Sequence, residues 1–349
     1  MIPLSQRVDA PAALGFPDDS AELAWRHATI DDIDAIVDCE REIGAQDHPH
    51  YVTSREEIAD DFSQSYVDIA TDTILALGAD GTVLGWGLVI EPPGQDSLVR
   101  SILVGGVRPA SRGLGIGRQL FGWQKGRGMQ QLAASDKNLP GWLMAFVPER
   151  AVETVDLLEH AGLTVARYFL ELRRDLAEPI ESVAVEPDVR IETFAPEWSR
   201  ATHASRDDAF RDHWGSQPVS EEQWDSLVGR EISRHDLSSI AIGTNGAGDE
   251  EVAGLVMVSV NEEDWPGQGF SSAYIDLVGV PRAWRKRGIA SALITNTLRA
   301  VAAAGLDRAV LDVVPRARRV RSASTPASAS RNRIGACRSR GCTETRPAG

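Results

Sequence analysis

Cysteine is scarce in this chain: three occur in 349 residues, at Cys39, Cys337 and Cys342. Three thiols cannot build a disulfide framework, so a reducing, cytoplasmic setting is expected. Long apolar stretches are missing too. No run of 18 or more apolar residues occurs, which argues against a membrane span or a membrane partner. Positive charge is in deficit, with 36 Lys and Arg against 51 Asp and Glu, a net of −15. Nucleic acid is therefore not expected as a partner, because phosphate backbones are met by Lys and Arg. Met1 to Phe16 holds one Arg and no sustained apolar segment. It lacks the pattern of a secretory signal and reads as part of a loose, disordered leader over residues 1–24.

The hydrophobic fraction of 42% and charged fraction of 25% are ordinary for a globular protein, and the length suits two domains. Trp25–Ala28 reads as a first strand, and Thr29 as the cap of the helix after it, with Asp31 and Asp32 in the first turn. Ser54 and Glu57 form a capping-box pattern for a second helix. Two strands follow, joined by a turn at Gly78–Gly81; then come a strand at Ser101–Val107, a glycine-rich turn and a helix to about Leu132. Trp142–Val147, Val152–His160 and Val165–Leu172 complete a strand, helix and strand. The order then restarts at Val189–Phe194 and runs to a strand at Ala309–Val313. The expected layout is a domain over 25–177, a linker over 178–187, and a second copy over 188–313. Each copy is an α/β (α+β) unit, a mixed central sheet flanked by helices.

One short motif occurs in both copies: Arg112-Gly113-Leu114-Gly115-Ile116-Gly117, and Arg285-Lys286-Arg287-Gly288-Ile289-Ala290, 173 residues later. Each follows a strand and opens a helix. In such a turn backbone N–H groups and the helix N-terminus can hold a phosphate, and glycines let the chain approach closely. Arg112 and Arg285 can add a charge-assisted hydrogen bond. The glycine spacing does not suit the dinucleotide fingerprint, which argues against a nicotinamide enzyme.

Val107 through Leu120 closely resembles the acetyl-CoA signature of the GCN5-related N-acetyltransferase (GNAT) superfamily. Val280 through Leu293 resembles it with small departures: Ala290 replaces the last glycine and Pro281 sits one place early. The resemblance covers nearly the whole chain up to Val313, and the layout looks like actinobacterial tandem acetyltransferases that include mycothiol synthase. It implies two tandem GNAT-fold domains, acetyl-CoA as acyl donor and transfer to an amine, with no metal. It further implies a donor site at Val107, Arg112, Gly113, Leu114, Gly115, Ile116, Gly117 and at Val280, Arg285, Lys286, Arg287, Gly288, Ile289, Ala290. It also implies an acidic residue as base and a Tyr on the last helix as acid.

Asp276, four residues before Val280, stands where a base can sit, and the matching residue of the first half is Leu103. Leu158 stands where the first half would need its Tyr; Tyr168 lies on a strand, where core packing is the favoured role. The acid is unknown. From Pro315 to Gly349 the chain carries nine Arg and one Glu with almost no large apolar residue, a segment expected to be disordered, so the second domain is expected to be incomplete. Read one nucleotide earlier in GC-rich codons, Val320–Ser330 yields a sequence like the family's missing ending, Tyr included. The tail after about Val313 is therefore expected to be frameshifted.

Asp47-His48-Pro49-His50 lacks the ligand count of a metal site. His213-Trp214 and Trp224 fit either an acceptor-facing region or plain packing, and Trp86 and Trp123 read as core or interface. Arg282, Arg285, Lys286 and Arg287 cluster as if to meet the phosphates of CoA. The expectation is an acetyl-CoA-dependent N-acetyltransferase acting on a small-molecule amine, as monomer or homodimer. The alternative is a non-catalytic acyl-CoA-binding protein of the same fold.

Overall fold

The computed structural model describes residues 2–213, 215–314 and, by their backbone, 331–337. Two units emerge. One is built from residues up to Phe169 with the strand at 331–337, the other from Leu170–Val313.

In the first unit the strands are β1 (Leu23–Arg26), β2 (Thr73–Gly78), β3 (Val83–Ile90), β4 (Val99–Val107) and β5 (Gly141–Pro148). They pair in that order; β12 (Arg331–Cys337) adds antiparallel to β5, and β4 with β5 is the parallel pair. Helices α1 (Ile33–Asp47), α2 (Arg55–Ser63) and the single turn α3 (Ile69–Asp72) precede β2, while α4 (Ile116–Ala134) and α5 (Val152–His160) flank β5. Each sheet face buries its own core. Ile36, Ile43, Phe62, Trp86 and Leu88 fill one; Leu120, Trp123, Leu132, Val89 and Leu143 fill the other. Alternation along β3 explains the split, since neighbouring residues of a strand face opposite sides.

The second unit repeats the plan. β6 (Thr164–Asp175) crosses into it, and β7 (Val189–Thr193), β8 (Ser239–Thr244), β9 (Glu250–Ser259), β10 (Ser272–Gly279) and β11 (Arg308–Val313) lie within it. The order is β7-β8-β9-β10-β11-β6, with β10 and β11 the parallel pair. Helices α6 (Ser199–Phe210), α7 (Glu221–Gly229), the short α8 (Trp265–Gln268) and α9 (Ile289–Ala303) complete it. On α9 the buried residues Ile289, Ala292, Leu293, Thr297 and Val301 recur at helical spacing and form one stripe on the sheet.

The helix starts follow the sequence. Ser54 Oγ accepts from the Glu57 N–H at 3.1 Å while the Ser54 N–H donates to Glu57 Oε2 at 2.9 Å, the expected capping box. Ser220 and Gln223 do the same for α7. At Thr29 a short 3₁₀ turn, Ile30–Asp32, intervenes before α1.

Three expectations need adjusting. The leader is ordered among the described residues: Leu4 is fully buried, Gln130 donates to the Pro11 carbonyl at 3.0 Å, and Phe16 stacks on Trp123. Its apolar residues fit notches left by glycines. A Cβ at Gly141 would stand 2.6 Å from Leu4, and one at Gly126 would stand 2.7 Å from Leu14. Next, the boundary falls inside β6 and not at 178–187. Residues Leu170–Asp175 of β6 pair with β11, and Ile180 and Val185 of the supposed linker pack on the second core. Last, Tyr168 on β6 is 39% exposed and fills no core. Of the stretch expected to be disordered after Val313, only Val314 and the backbone of β12 are described; the rest lies outside the described residues.

Candidate functional site

The two signature loops have one backbone. In the first, β4 gives way to a 3₁₀ turn at Pro109–Ser111, then Gly113 and Gly115 take φ of 78° and 86°, and α4 begins at Ile116. In the second, a 3₁₀ turn at Arg282–Trp284 is followed by Lys286 at φ 66° and Gly288 at φ 76°, and α9 begins at Ile289. Among the described residues, Lys286 is the one non-glycine at positive φ. The N–H groups of Gly113 through Gly117 and of Lys286 through Ala290 have no hydrogen-bond partner among the described residues. Free amides at the positive end of a helix are a place for an anion.

Arg112 and Arg285 act as braces of these loops. Arg112 makes a two-point ion pair with buried Asp47 at 2.9 and 2.7 Å, and its Nε donates to the Val107 carbonyl at 3.2 Å. Arg285 donates to the Val280 carbonyl at 3.1 Å, to the Ala209 carbonyl at 2.8 Å and to Asp212 at 3.4 Å. Both guanidinium groups thus tie the loop to the last strand residue and to the helix packed beside it. Asp47 is thereby engaged, and His48 Nδ1 lies 2.9 Å from the Tyr51 carbonyl, so the Asp47–His50 stretch is a structural turn.

Beyond the braces the loops differ. Leu114 is 72% exposed, and its counterpart Arg287 stacks over Trp284 at 4.7 Å and pairs with Asp188 and Glu186. A cavity of about 230 Å³ opens at the second loop, lined by Val280, Trp284, Lys286, Gly288, Ile289 and Ser291.

In both units the parallel pair parts beside the loop. β4 and β5 pair from Val99 with Gly141 to Leu103 with Ala145, although both strands continue. β10 and β11 stop pairing sooner, at Tyr274 with Val310. Past that point β10 carries a bulge: Ile275 faces Val258 and Leu277 faces Met257, leaving Asp276 as the extra residue. No shift interrupts the β3–β4 register at Leu103, which is buried. A bulge re-aims a side chain, and here it does so to a carboxylate at the mouth of the parting strands. Ser259 Oγ donates to Asp276 Oδ1 at 3.1 Å.

Sequence reasoning missed the neighbours of Asp276. Tyr274 lies two residues before it on the same strand, and its hydroxyl bonds to Asp312, which is opposite Glu171 in the β11–β6 register. Burial first, then these carboxylates, pushes the Tyr274 phenol above its usual range, so it stays protonated. The alternation Tyr274-x-Asp276 and the parallel strand carrying Asp312 were the available signals. In the first unit Glu40 was missed: it is buried, accepts from Trp86 Nε1 at 2.6 Å, and burial pushes its carboxyl upward. Trp224 is core, stacked on His203 at 5.2 Å, and Trp86 and Trp123 are buried as well. Leu158 is buried in the first core. His213 is exposed at the end of α6, and Trp214 lies outside the described residues.

Residues 199–321 match the acetyltransferase (GNAT) family. No curated protein matches the chain. Among solved structures, a GCN5-related N-acetyltransferase from Sphaerobacter thermophilus is similar with a TM-score of 0.64 at 22% identity, over 92% of this chain and 96% of that one. A tandem GNAT protein from the clavulanic acid biosynthesis pathway gives 0.63 at 16% identity, over 90% and 98%. Saccharomyces cerevisiae N-myristoyltransferase with bound myristoyl-CoA gives 0.59 at 9% identity, over 94% and 85%. At these identities the likeness speaks for the fold. No described helix is long and apolar enough to cross a membrane. The second unit is thus a GNAT-family domain, and the chain as a whole has the tandem fold of solved GNAT proteins.

Proposed function

We propose that the second unit transfers an acetyl group from acetyl-CoA to a small-molecule primary amine, with Asp276 as the base. The observation that carries this reading is the bulge that places a carboxylate where β10 and β11 part, beside a loop with unpartnered N–H groups and a cavity. The loop fits the phosphates of the donor: its amides and helix end offer positive partial charge, and Gly288 lets the backbone close in. The amine nitrogen attacks the thioester carbonyl, the carbon–sulfur bond breaks, and the amine proton passes to Asp276. The leaving thiolate takes its proton from water, because no acid is assigned. Within this reading the first unit, with Leu103 in place of the base and exposed Leu114 on its loop, supports the fold. The scarcity of cysteine suits a cytoplasmic setting.

The test is release of free CoA from acetyl-CoA against a panel of small amines. With an accepted amine, Asp276→Asn is expected to lower kcat by about 10²- to 10³-fold while acetyl-CoA binding stays within a few fold. Binding of acetyl-CoA with no turnover on any amine would instead favour a non-catalytic acyl-CoA-binding protein. Leu103 and Leu158, apolar where the first half needed chemistry, are the residues that keep this second reading in view.

A further inference from the structure

The second loop concentrates four cations, Arg282, Arg285, Lys286 and Arg287, and the structure shows how three of them are engaged. Arg282 donates to Asp212 at 2.7 Å. Arg285 is held by Val280, Ala209 and Asp212. Arg287 bonds to both oxygens of Asp188, at 2.9 and 2.7 Å, and to Glu186, over the Trp284 ring. Lys286 is exposed, lines the cavity, and has no ion pair or hydrogen bond among the described residues.

Lys286 also occupies the position least suited to it. Its φ of 66° is the left-handed conformation, and the equivalent residue of the first loop is Gly113, at 78°. A side chain is disfavoured there, and such strain is maintained where something else requires the residue. Glycine would satisfy the backbone, so what lysine adds is its ammonium group. We infer that Lys286 supplies the counter-charge for a phosphate of the acyl donor in this cavity. The braces keep the other three cations in place and leave the point contact to Lys286. This rests on the reading of the loop as the donor's cradle. Two kinds of phosphate are available on such a donor, the diphosphate and the 3′-phosphate of the ribose, and both present the same chemistry to an ammonium.

The experiment measures CoA and dephospho-CoA binding by calorimetry, with Tm in parallel, on the full chain and on Lys286→Gly, Lys286→Met and Lys286→Arg. Lys286→Gly is expected to raise Tm by about 2 °C, because glycine adopts the conformation freely, yet to weaken CoA by about tenfold. Lys286→Met retains the strained backbone and should weaken CoA equally, and Lys286→Arg should restore most of the affinity. A Met penalty that persists with dephospho-CoA assigns the diphosphate; one that vanishes assigns the 3′-phosphate. If Lys286→Met binds CoA within twofold of the parent chain, the inference is overturned while the cradle stands. If the parent chain binds no CoA, the cradle reading and this inference fall together.

Discussion

Glu91, at the end of the first unit's sheet, is the residue whose ionisation bears most directly on stability. Burial outweighs the attraction of Lys137 and Arg127 and pushes its carboxyl up to about 7. A carboxyl raised in the fold above its unfolded value, near 4.5, binds its proton more tightly when folded. Its contribution to stability is therefore full below about 4.5 and is lost as pH rises towards 7. Glu91→Gln removes that titration. We expect its Tm to match the parent chain's at pH 4 and to exceed it by a few degrees at pH 8, read from thermal melts across pH. Equal differences at both pH values would refute the assignment. At this scale the sequence was partly readable. Asp276 could be picked out because it stands four residues before Val280 where the first half has Leu103. That the residue sits in a bulge could not be seen, because one extra residue in a strand leaves no mark on the residue types. Lys286 misled in the opposite direction, since its type gives no warning of a left-handed backbone.

Among the elements, those set by local chemistry were legible and those set by distant contacts were not. The capping boxes at Ser54 and the hairpin turn ending in Gly81 depend on residues three or four apart, and the structure has both. The leader depends on Leu4 and Leu14 finding gaps at Gly141 and Gly126, more than 100 residues away, so nothing within the leader reports it. Burial of Leu4 against α4 and β5 carries a definite expectation. Leu4→Ala should destabilise the first unit by about 3 kcal/mol, measured by denaturant unfolding, through lost transfer energy and the cavity left behind. A cost near zero would mean that the leader detaches in solution.

For the molecule as a whole, the duplication read from two loops 173 residues apart holds in the sheets, which share one strand order and one parallel pair each. The boundary did not follow from the sequence, because an apolar strand announces that it will pair but not with which partner. The tail is a separate question, resting on the composition from Pro315 onward. Our hypothesis is that the gene read one nucleotide earlier after about Val313 encodes the remaining helix and strands of the second unit, Tyr included. Resequencing the gene checks it: an unbroken frame through Gly349 would refute it. With the frame restored, acetyl transfer should gain an acid, and turnover should rise with acetyl-CoA affinity unchanged.

The pairing of β6 has a consequence for how the protein is made. Asp175 is matched with Arg308, so β6 leaves the ribosome well over 100 residues before the strand it must join. At ordinary rates of synthesis that interval is on the order of ten seconds. During it an apolar strand with Phe169, Leu170 and Leu172 offers an open edge to any neighbouring chain. Slower translation past Asp175 should therefore lower the yield of soluble protein, and a chaperone that shields nascent strands should recover it.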